Sequence, residues 1–596
     1  MKAFIKYTFA SALGVIIASF VMITVLVMVL IGMAAASDAN TLVLEDNSVL
    51  VVKLKGEITE HMTENAFDEL LGGSTTLRQG LDNIVGAIDK AAKCDEIKGI
   101  YIEAGMTNTD YASLQEIRKA LARFKSTKKW IVAYADEYTQ GAYYVSSIAD
   151  EICVNPEGMV DIHGIAAQPV YYKDLLAKFG VKVKVVKVGK YKSATEQFTE
   201  EKMSEENREQ VTRYINGIWK TISEDICKSR NIPDAALQRC ADDHTLLRGT
   251  AYLKANKLID KTMYADEVKD GIKKRLGIKK DDEVKHVMCS VLNKSTIQNT
   301  YSDNKIAIYY CQGSITQIAE GSMLTGEDNI VSTVMTKDLE KLAKDDNIKA
   351  IVIRINSGGG DAFASEQIWH SIKELKKVKP VVVSMGGMAA SGAYYLSADA
   401  SWIVAQPTTL TGSIGIFGAF PDMSGLMTEK LGIKFDNVKT NKHSDFNITQ
   451  TARPFNAEEE EMLQQYINRG YELFCKRVAD GRKIPLATVK EIAQGRVWLG
   501  NDALKIKLID ELGGMPEAMK KAAALAKIKD YETVCYPTDG DWLEQLTAKV
   551  SGHNDNLDEQ LHETLGAYYE PFLLVRNLKN QSPIQARSQW KATLLK

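Results

Sequence analysis

The sequence of 596 residues lacks the features that mark several classes of protein. Its net charge is −3 and it has no polybasic tract, so nucleic acid is not an expected partner. Its eight cysteines show neither CxxC nor zinc-ligand spacing, and the GxGxxG spacing of dinucleotide loops is missing. None of the eight histidines is spaced along the sequence from an aspartate or glutamate in a way that indicates a catalytic pair. We therefore expect no metal, no cofactor and no histidine-based catalytic pair.

An uncharged stretch of 31 residues separates Lys6 from Asp38. About 20 apolar residues span the hydrocarbon core of a bilayer, so we predict a transmembrane anchor over 9–36. Lys2 and Lys6 precede this stretch, and the positive-inside tendency puts the bulk of the chain on the far side of the membrane from the cytoplasm. A cleaved signal peptide with its cleavage site at 34–37 is the alternative, and it places the bulk of the chain on the same side.

The rest of the chain contains two long copies of one sequence pattern. Residues 97–102 read IKGIYI and residues 348–353 read IKAIVI, while 141–144 and 392–395 both read GAYY. Both pairs are separated by the same 251 residues (348 − 97 and 392 − 141). Two long copies indicate a duplicated domain and not a solenoid of short units.

Each copy alternates short apolar runs with longer amphipathic helical patterns, which is typical of βα units with a buried, largely parallel sheet. We therefore predict an α/β fold with a first copy over 40–290 and a second over 300–535. A cytoplasmic N-terminus over 1–8 precedes the anchor, and a C-terminal extension over 536–596 has no assigned role. Cys227 and Cys240 flank a predicted helix–turn–helix and could pair in an oxidising compartment.

The two copies differ at the positions where chemistry could occur. Ser391 in the second copy corresponds to Gln140 in the first (391 − 140 = 251), and the glycines at 358–360 correspond to Thr-Asn-Thr at 107–109. Lys192 in the first copy has a serine at the matching position of the second. The two copies share one predicted fold, but each has only some of the candidate reactive groups. This division indicates one composite active site that takes residues from both copies.

Ser391 lies between a predicted strand and a predicted helix. A side chain at such a turn projects outward, and the free N–H groups of a helix start can hold developing negative charge. The small residues at 386–390 would let a substrate backbone approach closely. A serine in this position is commonly only a helix N-cap, so the hypothesis of a nucleophile depends on its surroundings.

The three consecutive glycines at 358–360 follow a predicted buried strand, where they can turn backbone N–H groups toward an anion. Gly359 or Gly360, together with Gly392, could donate to a tetrahedral oxyanion. A serine nucleophile also needs a base.

Two lysines, Lys190 and Lys192, are the candidates for that base. They follow the alternating strand predicted over 181–188 and would face the same side of an extended chain. Either amine would have to be neutral near the working pH, which requires burial or a neighbouring cation. The residues alone leave the choice between the two lysines open. They also leave open whether serine and lysine meet within one chain or across protomers.

With these segments in view, the chain resembles the signal peptide peptidase A family of bacteria in its long, duplicated, membrane-anchored form. Residues 388–395 (MAASGAYY) resemble the family's nucleophile motif. Residues 356–360 (NSGGG) resemble its glycine loop, with glycine where the family has proline. The segments 189–194 (GKYKSA) and 411–415 (TGSIG) also match, and the first of them assigns the base to Lys192.

The resemblance implies a serine endopeptidase on tandem crotonase/Clp-protease-like domains, with Ser391 as nucleophile and Lys192 as general base. Its substrates would be apolar peptides, namely the remnants of cleaved signal peptides. The other site residues would be backbone donors to the oxyanion, which are Gly359, Gly360 and Gly392, and residues that hold the substrate strand by backbone pairing, which are Ser413 and Ile414. The first copy, with Gln140 in place of serine, would be catalytically silent.

The resemblance further implies a single-pass protein of the bacterial inner membrane, with its catalytic body on the periplasmic side. We expect it to assemble as a homotetramer, since members form rings or domes around a shared cavity. Two other classes of function are kept as alternatives. One is a non-catalytic scaffold that binds peptides, and the other is a crotonase-type acyl-CoA enzyme, which would need neither Lys192 nor the anchor.

Overall fold

The computed structural model describes residues 44–62, 78–295, 302–318, 329–537 and 584–587, together with a few positions among the first 43. The predicted anchor and most of the C-terminal extension lie outside the described residues. Within the part of the chain that is described, no helix is both long enough and apolar enough to cross a bilayer.

Strands and helices alternate through the first copy. Its strands are β1 Ser48–Thr59, β2 Arg78–Gly80, β3 Ile97–Asn108, β4 Trp130–Tyr138, β5 Glu151–Val160, β6 Lys182–Lys187, β7 Lys261–Thr262 and β8 His286–Met288. Its helices are α1 Leu81–Lys93, α2 Tyr111–Ser126, α3 Gln140–Ser146, α4 Lys173–Lys178, α5 Glu196–Thr199, α6 Glu205–Arg230, α7 Asp234–Asp242, α8 Thr250–Ala255, α9 Ala265–Leu276 and α10 Cys289–Lys294.

The second copy repeats this alternation. Its strands are β9 Lys305–Gln312, β10 Ser314–Thr316, β11 Asn329–Val331, β12 Ile348–Ser357, β13 Gly359–Asp361, β14 Val381–Ala390, β15 Trp402–Ala405, β16 Leu410–Gly412, β17 Phe417–Asp422, β18 Val497–Leu499, β19 Glu511–Leu512 and β20 Glu532–Tyr536. Its helices are α11 Ser332–Lys344, α12 Ala362–Lys376, α13 Gly392–Ser397, α14 Ala457–Arg482, α15 Leu486–Ile492, α16 Gly500–Lys505 and α17 Met515–Ala526. One more strand, β21 Ile584–Arg587, belongs to the C-terminal extension.

Each copy is built on its own, mostly parallel sheet. In the first copy the order is β2-β1-β3-β4-β5-β7, with β8 also paired to β1, and every pairing is parallel. In the second copy the order is β18-β16-β14-β12-β9-β20, and only β16 and β18 run antiparallel. The apolar runs of the central strands are buried on both faces. The prediction of a duplicated α/β fold with buried parallel sheets is confirmed.

A third sheet joins the two copies and positions the site. Its order is β11-β10-β13-β21-β17-β6, so β6 of the first copy closes a sheet whose other strands come from the second copy and the C-terminal extension. β6 and β17 pair antiparallel, from Lys187 opposite Phe417 to Lys182 opposite Asp422. Because of this pairing, the segment that follows β6 in the first copy lies against the second copy. Elsewhere, Cys227 and Cys240 are both free thiols, so the disulfide considered for them is not formed.

Candidate active site

The structure brings Lys192 of the first copy against Ser391 of the second within one chain. The Lys192 Nζ atom lies 2.7 Å from Ser391 Oγ. Ser391 stands at the turn between β14 and α13, as the sequence pattern predicts, and both side chains are at most 1% exposed. The other candidate base, Lys190, is exposed, with its ammonium over the ring of Tyr191. Of the two lysines, only Lys192 reaches the serine.

Close backbone contact between the copies sets the position of Lys192. After β6, the Tyr191 N–H donates to the carbonyl of Gln494 at 3.0 Å. Gly495, at φ +77°, lies so near that a Cβ on it would come within 2.6 Å of Lys192 Cβ. A side chain at position 495 would therefore displace the lysine, and only glycine permits this contact.

The environment of the Lys192 amine favours its neutral form. Burial lowers the pKa of Lys192 well below its usual range. Among the described residues, no carboxylate forms an ion pair with Lys192. The nearest polar groups are Ser391 Oγ and the carbonyl and hydroxyl oxygens of Ser413, the latter two at 3.0 Å each. A neutral amine has two N–H donors and one lone pair, so it can donate to both Ser413 oxygens and accept from the Ser391 hydroxyl.

Ser413 and Ile414 are placed differently from the expectation that their backbones pair with substrate. The Ser413 N–H donates to the Arg496 carbonyl at 2.7 Å, and its own carbonyl accepts from Lys192. The carbonyl of Ile414 accepts from the N–H of Gly495 at 2.8 Å. Within the protein, Ser413 therefore contacts the lysine amine through both of its oxygens, and Ile414 contacts the backbone of Gly495.

Ser391 adopts a backbone conformation that few side chains tolerate. Its φ and ψ are 57° and −116°, and its N–H donates to the carbonyl of Gly412 at 2.8 Å. A non-glycine residue at positive φ is strained, and such residues cluster at functional sites when the surrounding structure enforces them. Here the end of β14 and its pairing with β16 enforce the turn.

The three candidate oxyanion glycines lie on elements next to this turn. Gly392 is the first residue of α13, where backbone N–H groups have no partner within the helix. Gly359 has φ +96°, and its N–H donates to Ser357 Oγ at 3.1 Å. Gly360 pairs with Ile315 of β10, and a Cβ on it would collide with the Ile315 carbonyl. The strand that carries both glycines packs against α13.

A strand of the C-terminal extension lies beside these glycines. The backbone of β21 pairs antiparallel with β13 on one side, with Gly360 opposite residue 586, and with β17 on the other, with Phe417 opposite residue 585. It also contacts α12 and α13. The space between β13 and β17 therefore accepts one extended polypeptide next to the serine turn. Its occupation by this strand could not be predicted from the sequence.

In the first copy, Gln140 fills the position that Ser391 has in the second. Its Oε1 accepts from the N–H groups of His163 and Gly164 at 3.0 and 2.9 Å, and its Nε2 donates to the Tyr111 hydroxyl at 2.8 Å. The glutamine side chain is buried and supplies no nucleophile. Its Oε1 thus satisfies two backbone donors beside it, and the catalytic silence of the first copy stays a prediction.

Glu60 and Asp110 lie near the site and were not singled out by the sequence. Gly386 and Gly387, which the sequence suggested would admit a substrate backbone, instead admit two carboxylates of the first copy. A Cβ on Gly386 would collide with Glu60, and one on Gly387 with Asp110. The glycine pair was visible in the sequence, but nothing there identified the groups it accommodates.

Comparison with the sequences of known proteins identifies the family of this chain. The sequence model of peptidase family S49 matches residues 123–279 and 373–529, and that of Clp protease matches residues 318–404. The chain is 35% identical to Protease 4 of Salmonella typhi over 523 residues, which are 86% of this chain and 82% of the relative. It is 32% identical to Protease 4 of Haemophilus influenzae over 570 residues, or 91% and 90% of the two chains.

A third relative is the chloroplastic serine protease SPPA of Arabidopsis thaliana, which is 31% identical over 81% of this chain and 69% of its own length. The S49 model matches once in each copy, which confirms the predicted tandem duplication. Since these matches cover most of the chain, and all three relatives are proteases by name, the chain belongs to peptidase family S49.

Proposed function

We propose that this chain is a membrane-anchored serine endopeptidase that uses a Ser391/Lys192 dyad to degrade cleaved signal peptides. The observation that carries the proposal is the 2.7 Å contact between Lys192 Nζ and Ser391 Oγ in a buried site. Membership of family S49 supports the peptidase activity. The dyad, the substrate class and the anchor are the parts that we add.

In the proposed reaction, the Ser391 hydroxyl gives its proton to neutral Lys192 as Oγ attacks the carbonyl carbon of the scissile peptide bond. The two Ser413 oxygens hold the amine so that its lone pair faces the hydroxyl, and they stabilise the ammonium that forms. Lys192 then returns the proton to the leaving amine as the C–N bond breaks. Water hydrolyses the acyl-enzyme, with Lys192 again acting as the base.

The N–H of Gly392, with that of Gly359 or Gly360, would stabilise the oxyanion of the tetrahedral intermediate. Gly359 would have to exchange its bond to the Ser357 hydroxyl for one to the oxyanion. Removing one such donor typically raises the barrier by about 2.7–4 kcal/mol. The glycines need no side chain for this task, so their contribution is tested by substitutions that move the backbone.

The space between β13 and β17 would bind the substrate as an extended strand. Its occupation by the backbone of β21 supports this, since any peptide can form the same main-chain bonds. An extended, apolar signal peptide would suit a slot whose β17 side begins with buried Phe417. The anchor would hold the catalytic body at the periplasmic face of the membrane, where such peptides are released, and a homotetramer would enclose them.

The test compares the full-length protein, purified in detergent, as wild type and as Ser391→Ala, Lys192→Ala and Lys190→Ala. Hydrolysis of a synthetic signal peptide should fall by about 10³-fold or more in the first two variants. Lys190→Ala is the matched control, because this lysine lies two positions away and is exposed, and it should retain wild-type turnover. Labelling by a fluorophosphonate should disappear in Ser391→Ala.

Three results would count against the proposal. Peptide hydrolysis that survives Lys192→Ala would exclude the dyad. A wild-type protein that binds signal peptides without cleaving them would favour a peptide-binding scaffold, and acyl-CoA turnover independent of Lys192 would favour a crotonase-type enzyme.

A further inference from the structure

We propose that Glu60 and Asp110 of the first copy are positioning residues for the active site of the second, acting through the side chain of Asn356. This inference rests on the proposed function, since it concerns the same serine. Beyond its lysine, the first copy would thus fix the separation between the glycine loop and the serine turn. Four observations lead to it.

The first observation is a register shift beside the site. β12 and β14 pair with Ile355 opposite Met385, but two residues later Ser357 is opposite Ala389. Two steps along β12 are therefore matched by four along β14, and the extra residues bulge just before Ser391. A bulge of this kind re-aims the chain that follows it. Whatever holds the bulge in shape also sets the direction of the serine.

The second observation is that Asn356 spans the bulge. It stands at the register shift, three residues before Gly359, and its Oδ1 accepts the N–H of Met388 at 3.1 Å. One amide side chain therefore connects the strand that leads into the glycine loop with the segment that leads into Ser391. A shift of Asn356 would change the distance between the proposed oxyanion donors and the nucleophile.

The third observation is that the first copy orients this amide. Asn356 Nδ2 donates to Glu60 Oε1 at 2.8 Å and to Asp110 Oδ2 at 3.0 Å. Rotating the amide by half a turn would point its oxygen at two carboxylates and its nitrogen at the N–H of Met388. Both changes would break hydrogen bonds, so the two carboxylates leave the amide a single orientation.

The fourth observation is that both carboxylates are themselves held in place. Glu60 Oε2 accepts from Arg354 Nε at 2.7 Å, and Arg354 Nη2 donates to Glu116 at 3.0 Å. Asp110 caps α2 by accepting the Ser113 N–H at 2.8 Å. Arg354 and Glu60 are buried, so these charged hydrogen bonds act in a medium of low dielectric. The absence of side chains at residues 386 and 387 lets the carboxylates reach the bulge.

A misplacement of about 1 Å in a catalytic group can slow a reaction about 10²-fold. Asn356→Asp would replace the amide donors with a third carboxylate and push residue 356 away from the other two. Glu60→Gln with Asn356→Asp exchanges the amide and the carboxylate between the two positions. In that double variant the new amide at position 60 can donate to the new carboxylate at position 356 and accept from Arg354, while Asp110 still repels that carboxylate. The carboxylate at position 356 still accepts from the N–H of Met388.

The experiment measures kcat and KM for signal-peptide hydrolysis by the full-length protein, with active sites counted by fluorophosphonate titration. We expect Asn356→Asp to lower kcat per titrated site about 10²-fold with little change in KM. The double variant should regain a several-fold part of that loss, because the repulsion from Glu60 is removed and that from Asp110 remains. Glu57→Gln is the control, because Glu57 lies on β1, three residues before Glu60, but pairs at the surface with Arg78. It should keep the wild-type kcat.

If Asn356→Asp does not fold, Asn356→Ala removes the same bonds without adding charge, and its kcat per site should also fall. An unchanged kcat per titrated site in either variant, with only a lower Tm, would overturn the inference and leave the cluster as an interface contact. Failure to regain kcat in a folded double variant would overturn it as well. Failure of the proposed function is a separate result, seen as wild-type activity that Ser391→Ala does not abolish.

Discussion

Gly495 and Lys192 lie backbone to backbone across the boundary between the two copies, with room for a hydrogen atom and not for a methyl group. A Cβ on Gly495 would stand 2.7 Å from the Lys192 nitrogen and 2.6 Å from its Cβ. Because these neighbours belong to the main chain and to the root of the side chain, they cannot move aside as a flexible tip could. The lysine therefore reaches the serine only as long as residue 495 remains glycine.

Gly495→Ala should therefore impair catalysis and stability together. The new methyl group would push Lys192 away from Ser391, and alanine would be strained at φ +77°. We expect a loss of about 10²-fold in kcat and of about 1–3 kcal/mol in the free energy of unfolding. Peptide hydrolysis and thermal unfolding measure the two effects.

Gly432→Ala is the control for that variant. Gly432 has a similar φ of +67°, but a Cβ on it would meet nothing within 4 Å. Gly432→Ala should lower the free energy of unfolding through backbone strain and leave kcat unchanged. Equal losses of kcat in the two variants would mean that the contact with Lys192 is irrelevant.

The pH dependence of catalysis should follow the amine of Lys192. Burial lowers the pKa of this amine, and only its neutral form can accept the serine proton. The value of kcat/KM should therefore rise with pH through that lowered pKa and reach a plateau below the usual lysine range near about 10.4. A rate that falls with increasing pH over this interval would contradict the role of the lysine as base.

The same amine should make stability depend on pH. The unfolded chain binds a proton at Lys192 that the folded chain does not bind, at every pH between the lowered pKa and about 10.4. Unfolding then takes up a proton, so the wild type should become more stable as pH rises through this window. Lys192→Met removes the titrating group. Denaturant titrations at several pH values should show the stability of the wild type rising relative to this variant.

The sequence predicted those parts of the site that depend on neighbours along the chain. The strand before Ser391, the helix after it and the glycine loop each follow from a local pattern of apolar and small residues. The division of serine and lysine followed from comparing the two copies, and the family motif chose Lys192 over Lys190.

Contacts between distant segments could not be predicted in this way. The fit of Gly495 against Lys192 and the bonds from Glu60 and Asp110 to Asn356 join residues roughly 250 to 300 positions apart. The sequence around Gly495, Glu60 or Asp110 contains no motif that identifies which distant residue each one contacts. Ser413 was expected to pair with substrate because its segment matches a family motif, whereas the fold turns its carbonyl and hydroxyl toward the lysine.

Ser413→Ala should slow the reaction without abolishing it. The variant removes one of the two oxygens that accept hydrogen bonds from Lys192 and keeps the backbone carbonyl. A hydrogen bond of this kind contributes about 0.5–1.5 kcal/mol, so we expect kcat to fall by about two- to tenfold. Ser397→Ala is the control, because Ser397 is equally buried but donates only to the carbonyl of Ala393. The kcat of both variants is measured by peptide hydrolysis at a pH on the plateau of the pH profile. Equal values of kcat for the two variants would argue against a role of the Ser413 hydroxyl in orienting Lys192.

The C-terminal strand should compete with substrate for the space between β13 and β17. Because β21 already pairs with both strands, an external peptide has to displace it before it can bind as an extended chain. Removing residues 584–596 should therefore lower KM for a synthetic signal peptide several-fold and leave kcat unchanged. Removing only 588–596 keeps the strand and is the control. If the longer deletion raises KM or lowers kcat, β21 supports the active site and does not compete for it.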